Sequence, residues 1–201
     1  MQNYSEYSME QLASTIADHL KTHNIEVVLV GGLAVALYTE NRYLTKDIDM
    51  VDISYQKTTT LIAAMSELGF QKEGRFYTHA STDIIVEFPS APLAVGDELI
   101  FETTTISGSL GEIPILHAVD VVKDRLAAYF HWQDQQSLVQ ALCIMLCHEI
   151  APNAVKTFCK NEGMLEQYIQ IESYFAALEQ QELKEMITIE NYIISEHIKK
   201  L

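Results

Sequence analysis

Two hydrophobic periods divide the chain. Leu12, Ile16 and Leu20 recur every fourth residue and predict an amphipathic helix over 7–22. IEVVLV (25–30) is a largely β-branched run between Asn24 and Gly31, which predicts a buried strand. GGLAVALYTE (31–40) predicts a helix entered through glycine. DIDMVDI (47–53) predicts a second strand with Asp47 and Asp49 on one face and Ile48 and Met50 on the other. YQKTTTLIAAMSELGF (55–70) places Leu61, Ile62, Met65 and Leu68 on one helical stripe, with Gly69 as its stop. RFYTHA and DIIVEF, joined through ASTD, predict a strand pair that Pro89 and Pro92 close. ELIFETTTISG and GEIPIL predict a hairpin around Ser107–Gly111.

From His117 onward the period is helical. VDVVKDRLAAYFHW, DQQSLVQALCIMLCHEI, NAVKTFCKNEG and a long polar C-terminal helix account for the remainder. The predicted class is α/β (α+β). A mixed β-sheet with flanking helices occupies 1–116, and a helical C-terminal region occupies 117–201.

Composition narrows the options. Of 201 residues, 48% are hydrophobic, enough for a sizeable core and too many for global disorder. The formal charge of −15 is spread over both halves, so tight non-specific nucleic-acid binding is not expected. Cys143, Cys147 and Cys159 are odd in number and lie in helical sequence, which fits reduced, buried thiols of a cytoplasmic protein. Cys143 and Cys147 stand four apart beside His148, a spacing a metal accepts, although burial is the commoner use of such thiols. MQNYSEYSMEQL has neither the basic nor the apolar region of a signal peptide, and no apolar stretch is long enough to span a bilayer.

The chemistry gathers in Val28–Asp52. Strand alternation brings Asp47 and Asp49 to one face about 7 Å apart at Cα. Two carboxylates that close repel unless a cation or donors stand between them. Mg²⁺ (or Mn²⁺) suits such hard oxygen donors and commonly shares its shell with phosphate. Gly31 and Gly32 lie where a strand passes into a helix, where small residues and free N–H groups favour an anion. A third carboxylate would complete a cluster for in-line displacement at phosphorus. Asp83 and Glu87 both qualify; Glu87 is favoured because Val86 and Phe88 flank it, so its charge interrupts an apolar run. The competing structural reading makes Asp47 a turn cap and pairs Asp49 with Lys46 or Arg42.

Gly-Gly, then Asp-x-Asp, then a later strand acid resembles the nucleotidyltransferase superfamily over residues 25–88. NRYLTKDIDMVD and DRLAAYFHWQDQQSLVQAL further resemble the minimal and toxin-type (AbiEii-like) bacterial group of toxin–antitoxin and phage-defence systems. The resemblance implies that Gly31 and Gly32 bind the phosphates of an NTP. It implies that Asp47, Asp49 and Glu87 hold the metal, with Glu87 activating an acceptor hydroxyl. Lys123, on the first helix after the sheet, would reach the triphosphate and bridge the two halves of the chain. Arg42 and Lys46 could neutralise phosphate charge. Two departures stand out: Gly32 replaces a frequent serine, and the third acid is Glu.

The implied activity is transfer of a nucleoside monophosphate to a hydroxyl of a protein, tRNA or small molecule, with a protein partner encoded nearby. The competing function is a catalytically inert fold of this kind acting as a binding partner or antitoxin. Arg125 and His131 also fit the loose Arg…His spacing of helical toxin ribonucleases, a spacing that arises easily by chance. A solvated face or a local salt bridge is the expected role of Arg125 and Asp134.

Overall fold

The computed structural model describes residues 2–199. In chain order its elements are α1 (Met9–Thr22), β1 (Val27–Val30), α2 (Gly31–Tyr38), β2 (Asp47–Asp52), α3 (Thr58–Glu67), β3 (Gln71–Glu73), β4 (Phe76–His79) and β5 (Thr82–Glu87). There follow β6 (Ala94–Val95), β7 (Glu98–Leu99), β8 (Thr104–Ser107), β9 (Glu112–Ile115), α4 (Ala118–Trp132) and α5 (Gln135–Cys147). A 3₁₀ turn (Pro152–Val155), α6 (Lys156–Asn161), α7 (Leu165–Gln180) and α8 (Met186–Ile198) complete the chain. The mixed sheet and the helical region are as the sequence predicts.

Seven strands form one sheet in the order β3-β4-β5-β2-β1-β9-β8, and β6 and β7 form a separate ribbon. β2 runs antiparallel to β1 and parallel to β5, so it lies inside the sheet. The shared parity of Ile48, Val86 and Tyr77 in this register turns all three to one face, where they are buried. α1 lies against β1, β9 and α3 and buries Leu12, Ile16 and Leu20, the stripe read from its period. It starts at Ser8, whose hydroxyl accepts from the Gln11 N–H at 3.1 Å while the Gln11 side chain accepts from the Ser8 N–H at 3.0 Å.

The chain divides into two compact units. The first holds the residues up to Ala34, Leu44–Ala94 and Leu99–His117; the second holds Val35–Tyr43, Val95–Glu98 and the chain from Ala118. In the second unit α5 is buried at every residue from Ser137 to Leu146, because it is apolar all round and packs among α4, α7 and α8. Val122 and Leu126 of α4 and Phe175, Leu178, Ile189 and Ile193 of α7 and α8 join this core.

The long C-terminal helix predicted from sequence is two helices. Glu182 adopts a φ of 54°, the Glu182 N–H donates to the Glu179 carbonyl, and the Leu183 N–H donates to the Leu178 carbonyl, both at 3.0 Å. This double bond closes α7 in a Schellman turn with glutamate where glycine is usual, so the break carries no sequence signal. The edge strand β3 was also not anticipated: its three residues are all exposed and show no apolar alternation.

Candidate active site

β2 and β5 pair in parallel with Asp47 beside Ile85 and Asp49 beside Glu87. Neighbouring strands lie about 4.8 Å apart and residues two apart share a face, so Asp47, Asp49 and Glu87 occupy one face of two adjacent strands. On β1 the residue opposite Asp49 is Val30, the last before Gly31. The side chains grade from exposed at Asp47 to half-buried at Asp49 and Glu87. Asp83 has the same parity as Glu87 but precedes Ile85 by two residues, so it falls past Asp47, away from Asp49.

Gly31 brings the strand-to-helix turn against the acids. Its φ is +65°, left-handed, and a Cβ there would stand 2.2 Å from Asp49 Oδ2 and 3.0 Å from its Cγ. The Asp49 carboxylate thus rests against the bare Gly31 backbone at the entry to α2. Gly32 follows in the first turn, where backbone N–H groups have no intrahelical acceptor.

Arg75 is a residue that the sequence reading passed over. Its Nε lies 3.4 Å from Glu87 Oε1, its side chain is 72% exposed against 22% for Glu87, and its guanidinium rests over the Phe76 ring at 4.8 Å. The antiparallel pairing of Phe76 with Glu87 brings the two charges together, and no short-range pattern announces it. Arg75 also lines a cavity of about 330 Å³ with Lys72, Tyr55, Tyr77 and Phe88. Asp52, the remaining acid of β2, has the opposite parity and forms a turn: its Oδ1 accepts from the Ser54 N–H at 2.8 Å and the Ser54 hydroxyl at 2.6 Å.

Lys123 lies in the second unit. Its Nζ donates to Asp120 Oδ1 at 3.0 Å and Glu98 Oε1 at 3.1 Å, and its side chain is 13% exposed. Burial opposes its charge, but the bonds to Asp120 and Glu98 hold its pKa above the ordinary lysine value. Arg42 bonds Glu40 and Glu185, each at 2.9 Å. Lys46 is exposed and lines a cavity of about 710 Å³ with Thr45 and Asp83. Arg125 pairs with Asp124, His131 pairs with Glu162 at 2.7 Å, and Asp134 caps α5 through the Gln136 N–H at 3.0 Å. Cys143 and Cys159 are buried thiols, pushed up to about 12 and about 11 chiefly by burial.

No family model matches the chain, and no curated protein sequence matches it. A solved structure similar to it is the solution structure of the antibiotic-resistance factor ANT(2'')-Ia. That protein is 13% identical, with 92% of this chain and 94% of that chain covered and a TM-score of 0.39. Among the described residues no helix is long and apolar enough to cross a membrane.

Proposed function

We propose that the protein is a divalent-metal-dependent nucleotidyltransferase that moves a nucleoside monophosphate from an NTP to a hydroxyl. One observation carries this reading: Asp47, Asp49 and Glu87 share a face, and the Asp49 carboxylate packs on Gly31 at the start of a helix. A set of hard oxygens on one face fits Mg²⁺ or Mn²⁺, with Asp47, Asp49 and Glu87 as its holders. When bound, the ion supplies charge neutralisation at the transferring phosphorus. Gly31 and Gly32 offer N–H groups to the phosphates. Glu87 takes the proton of the acceptor hydroxyl, whose oxygen bonds to the α-phosphorus as the bond to the leaving pyrophosphate breaks. The register favours Glu87 over Asp83, because only Glu87 stands beside Asp49. The net charge of −15 disfavours a polyanionic acceptor such as tRNA and favours a protein or small molecule.

A second reading is an inert fold of this kind that serves as a binding partner. It draws on the ion pairs already made by Glu87 with Arg75 and by Lys123 with Asp120 and Glu98. Incubation with each α-labelled NTP and Mg²⁺ or Mn²⁺ separates the two. Label transfer or pyrophosphate release is expected in the native protein and should be lost in Asp47→Ala, Asp49→Ala and Glu87→Gln but kept in Asp83→Asn. Lys123→Ala should weaken NTP binding if its ammonium turns to the triphosphate. Metal-independent NTP binding without transfer in every variant would favour the inert reading.

A further inference from the structure

We propose that His19, His23 and Glu67 form a transition-metal site that ties the end of α1 to the end of α3. The site stands apart from the carboxylates of β2 and β5 and does not depend on the nucleotidyl-transfer reading. His19 and His23 are one helical turn apart on α1, so they share a face, and their ring centroids are 4.8 Å apart. Glu67 closes the group from α3. Its Oε2 lies 3.1 Å from His23 Nε2 and 3.8 Å from His19 Nε2, and all three ligand atoms lie within 4.8 Å of one another.

The backbone beneath these side chains is fixed. Asn24 (φ 57°) closes α1, with its N–H donating to the Lys21 carbonyl and the Ile25 N–H to the Leu20 carbonyl. Gly69 (φ 90°) closes α3 in the same way, through the Ser66 and Met65 carbonyls. His23 and Glu67 therefore project from the ends of two helices whose final turns are each double-bonded. The His19 Nε2–H donates to the Ala64 carbonyl at 2.9 Å, and an ion held at this nitrogen would replace that proton and that bond.

Hydrogen bonds occupy both rings. His23 can donate to Glu67, but the 3.8 Å from His19 Nε2 to the same oxygen is too long for a hydrogen bond. The Glu67 oxygen thus bonds one imidazole and stands 3.8 Å from the other, whose Nε2–H is given to the Ala64 carbonyl. In a tetrahedral shell with Zn–N and Zn–O bonds near 2.0–2.2 Å, ligand atoms stand roughly 3.3–3.5 Å apart. The separations of 3.1 and 3.8 Å from Glu67 bracket that spacing, and rotation of the His19 ring off the Ala64 carbonyl closes the difference. Two imidazoles and one carboxylate select a borderline ion of the Zn²⁺, Ni²⁺ or Cu²⁺ class over Mg²⁺, which takes oxygen ligands. His19 and His23 are half-buried and Glu67 is exposed, so an ion can enter from solvent, with water filling the remaining position.

The test uses the full-length, tag-free protein stripped with chelator. Zn²⁺ is titrated in competition with a chromophoric chelator, and melting is followed with Zn²⁺ and with Mg²⁺. The expected result is one tight Zn²⁺ per chain and a Tm raised by Zn²⁺, since an ion bound only by the folded state stabilises it. His23→Ala and Glu67→Gln, both at solvent-accessible positions, should each weaken Zn²⁺ binding by roughly tenfold or more. Asp47→Asn, on the separate carboxylate face, should leave it unchanged. Absence of binding in the micromolar range would overturn the proposal. So would unchanged Zn²⁺ affinity in both cluster variants, or its loss in Asp47→Asn alone.

Discussion

At the scale of single residues, the conformation of Gly31 decides more than its lack of a side chain. A left-handed φ and a carboxylate where its Cβ would be make two independent demands for glycine. Gly31→Ala is expected to lower stability by about 1–3 kcal/mol and to displace the Asp49 carboxylate. Urea unfolding and metal-dependent transfer read the two effects separately, and an alanine variant with native values in both would remove the link. His79 is a second such position. It is buried, its Nδ1 accepts from the Ser81 N–H at 3.1 Å, and burial lowers its pKa from the ordinary 6.5. The unfolded chain therefore binds a proton more readily than the folded one. Stability contributed by neutral His79 is complete above the unfolded value and falls as pH drops from about 6.5 towards the lowered folded value. His79→Asn, which retains an acceptor for Ser81, should flatten the fall of the urea midpoint across that window. The pairing of Asp47 with Asp49 is legible in the sequence because strand parity is local. The neighbour relation of Asp49 to Glu87, and the arginine beside Glu87, need a strand register that no short window contains.

At the scale of elements, helix stops separate what the sequence shows from what it hides. The Gly69 stop is visible because glycine there is itself the signal. α7 closes with the same double bond but places Glu182 (φ 54°) at the left-handed position, and Glu149 (φ 53°) takes that position after α5, where the Ile150 N–H donates to the Met145 carbonyl at 2.9 Å. A non-glycine residue there carries a conformational penalty of about 1–2 kcal/mol, partly offset by the greater freedom glycine has when unfolded. Glu182→Gly should therefore raise stability by about 0.5–1 kcal/mol, measured as a shift in denaturant midpoint without a change in m. A lower midpoint would mean that the Glu182 side chain contributes more than its backbone strain takes away. The burial of α1, by contrast, follows its fourfold spacing closely, since a one-sided helix on a sheet has only one stripe to bury.

At the scale of the whole molecule, charge and connectivity dominate. A net charge of −15 over 201 residues disfavours the folded state through self-repulsion. Raising sodium chloride from about 10 to about 300 mM shortens the screening length from roughly 30 to under 8 Å. Tm should then rise by about 2–4 °C, equivalent to roughly 1 kcal/mol. A fall would mean that ion pairs such as Lys123 with Asp120 and Glu98 outweigh the repulsion. The switch to helices near residue 117 is readable because the hydrophobic period changes there. Inclusion of Val35–Tyr43 in the second unit is not readable, because it rests on contacts with sequence more than a hundred residues away, such as the His148 ring bonding the Tyr38 carbonyl at 2.8 Å.

That interleaving sets an order on synthesis. Residues up to His117 leave the ribosome with every strand of the seven-stranded sheet, so the first unit can begin to form while the rest is being translated. Val35, Ala36 and Tyr38, buried in the finished protein, emerge before most strands of the sheet yet belong to the unit whose remaining helices follow that sheet. Until translation passes α5, this apolar segment has no native cover. The nascent chain is therefore most exposed to chaperones and to aggregation in the interval between completing its sheet and completing its helices.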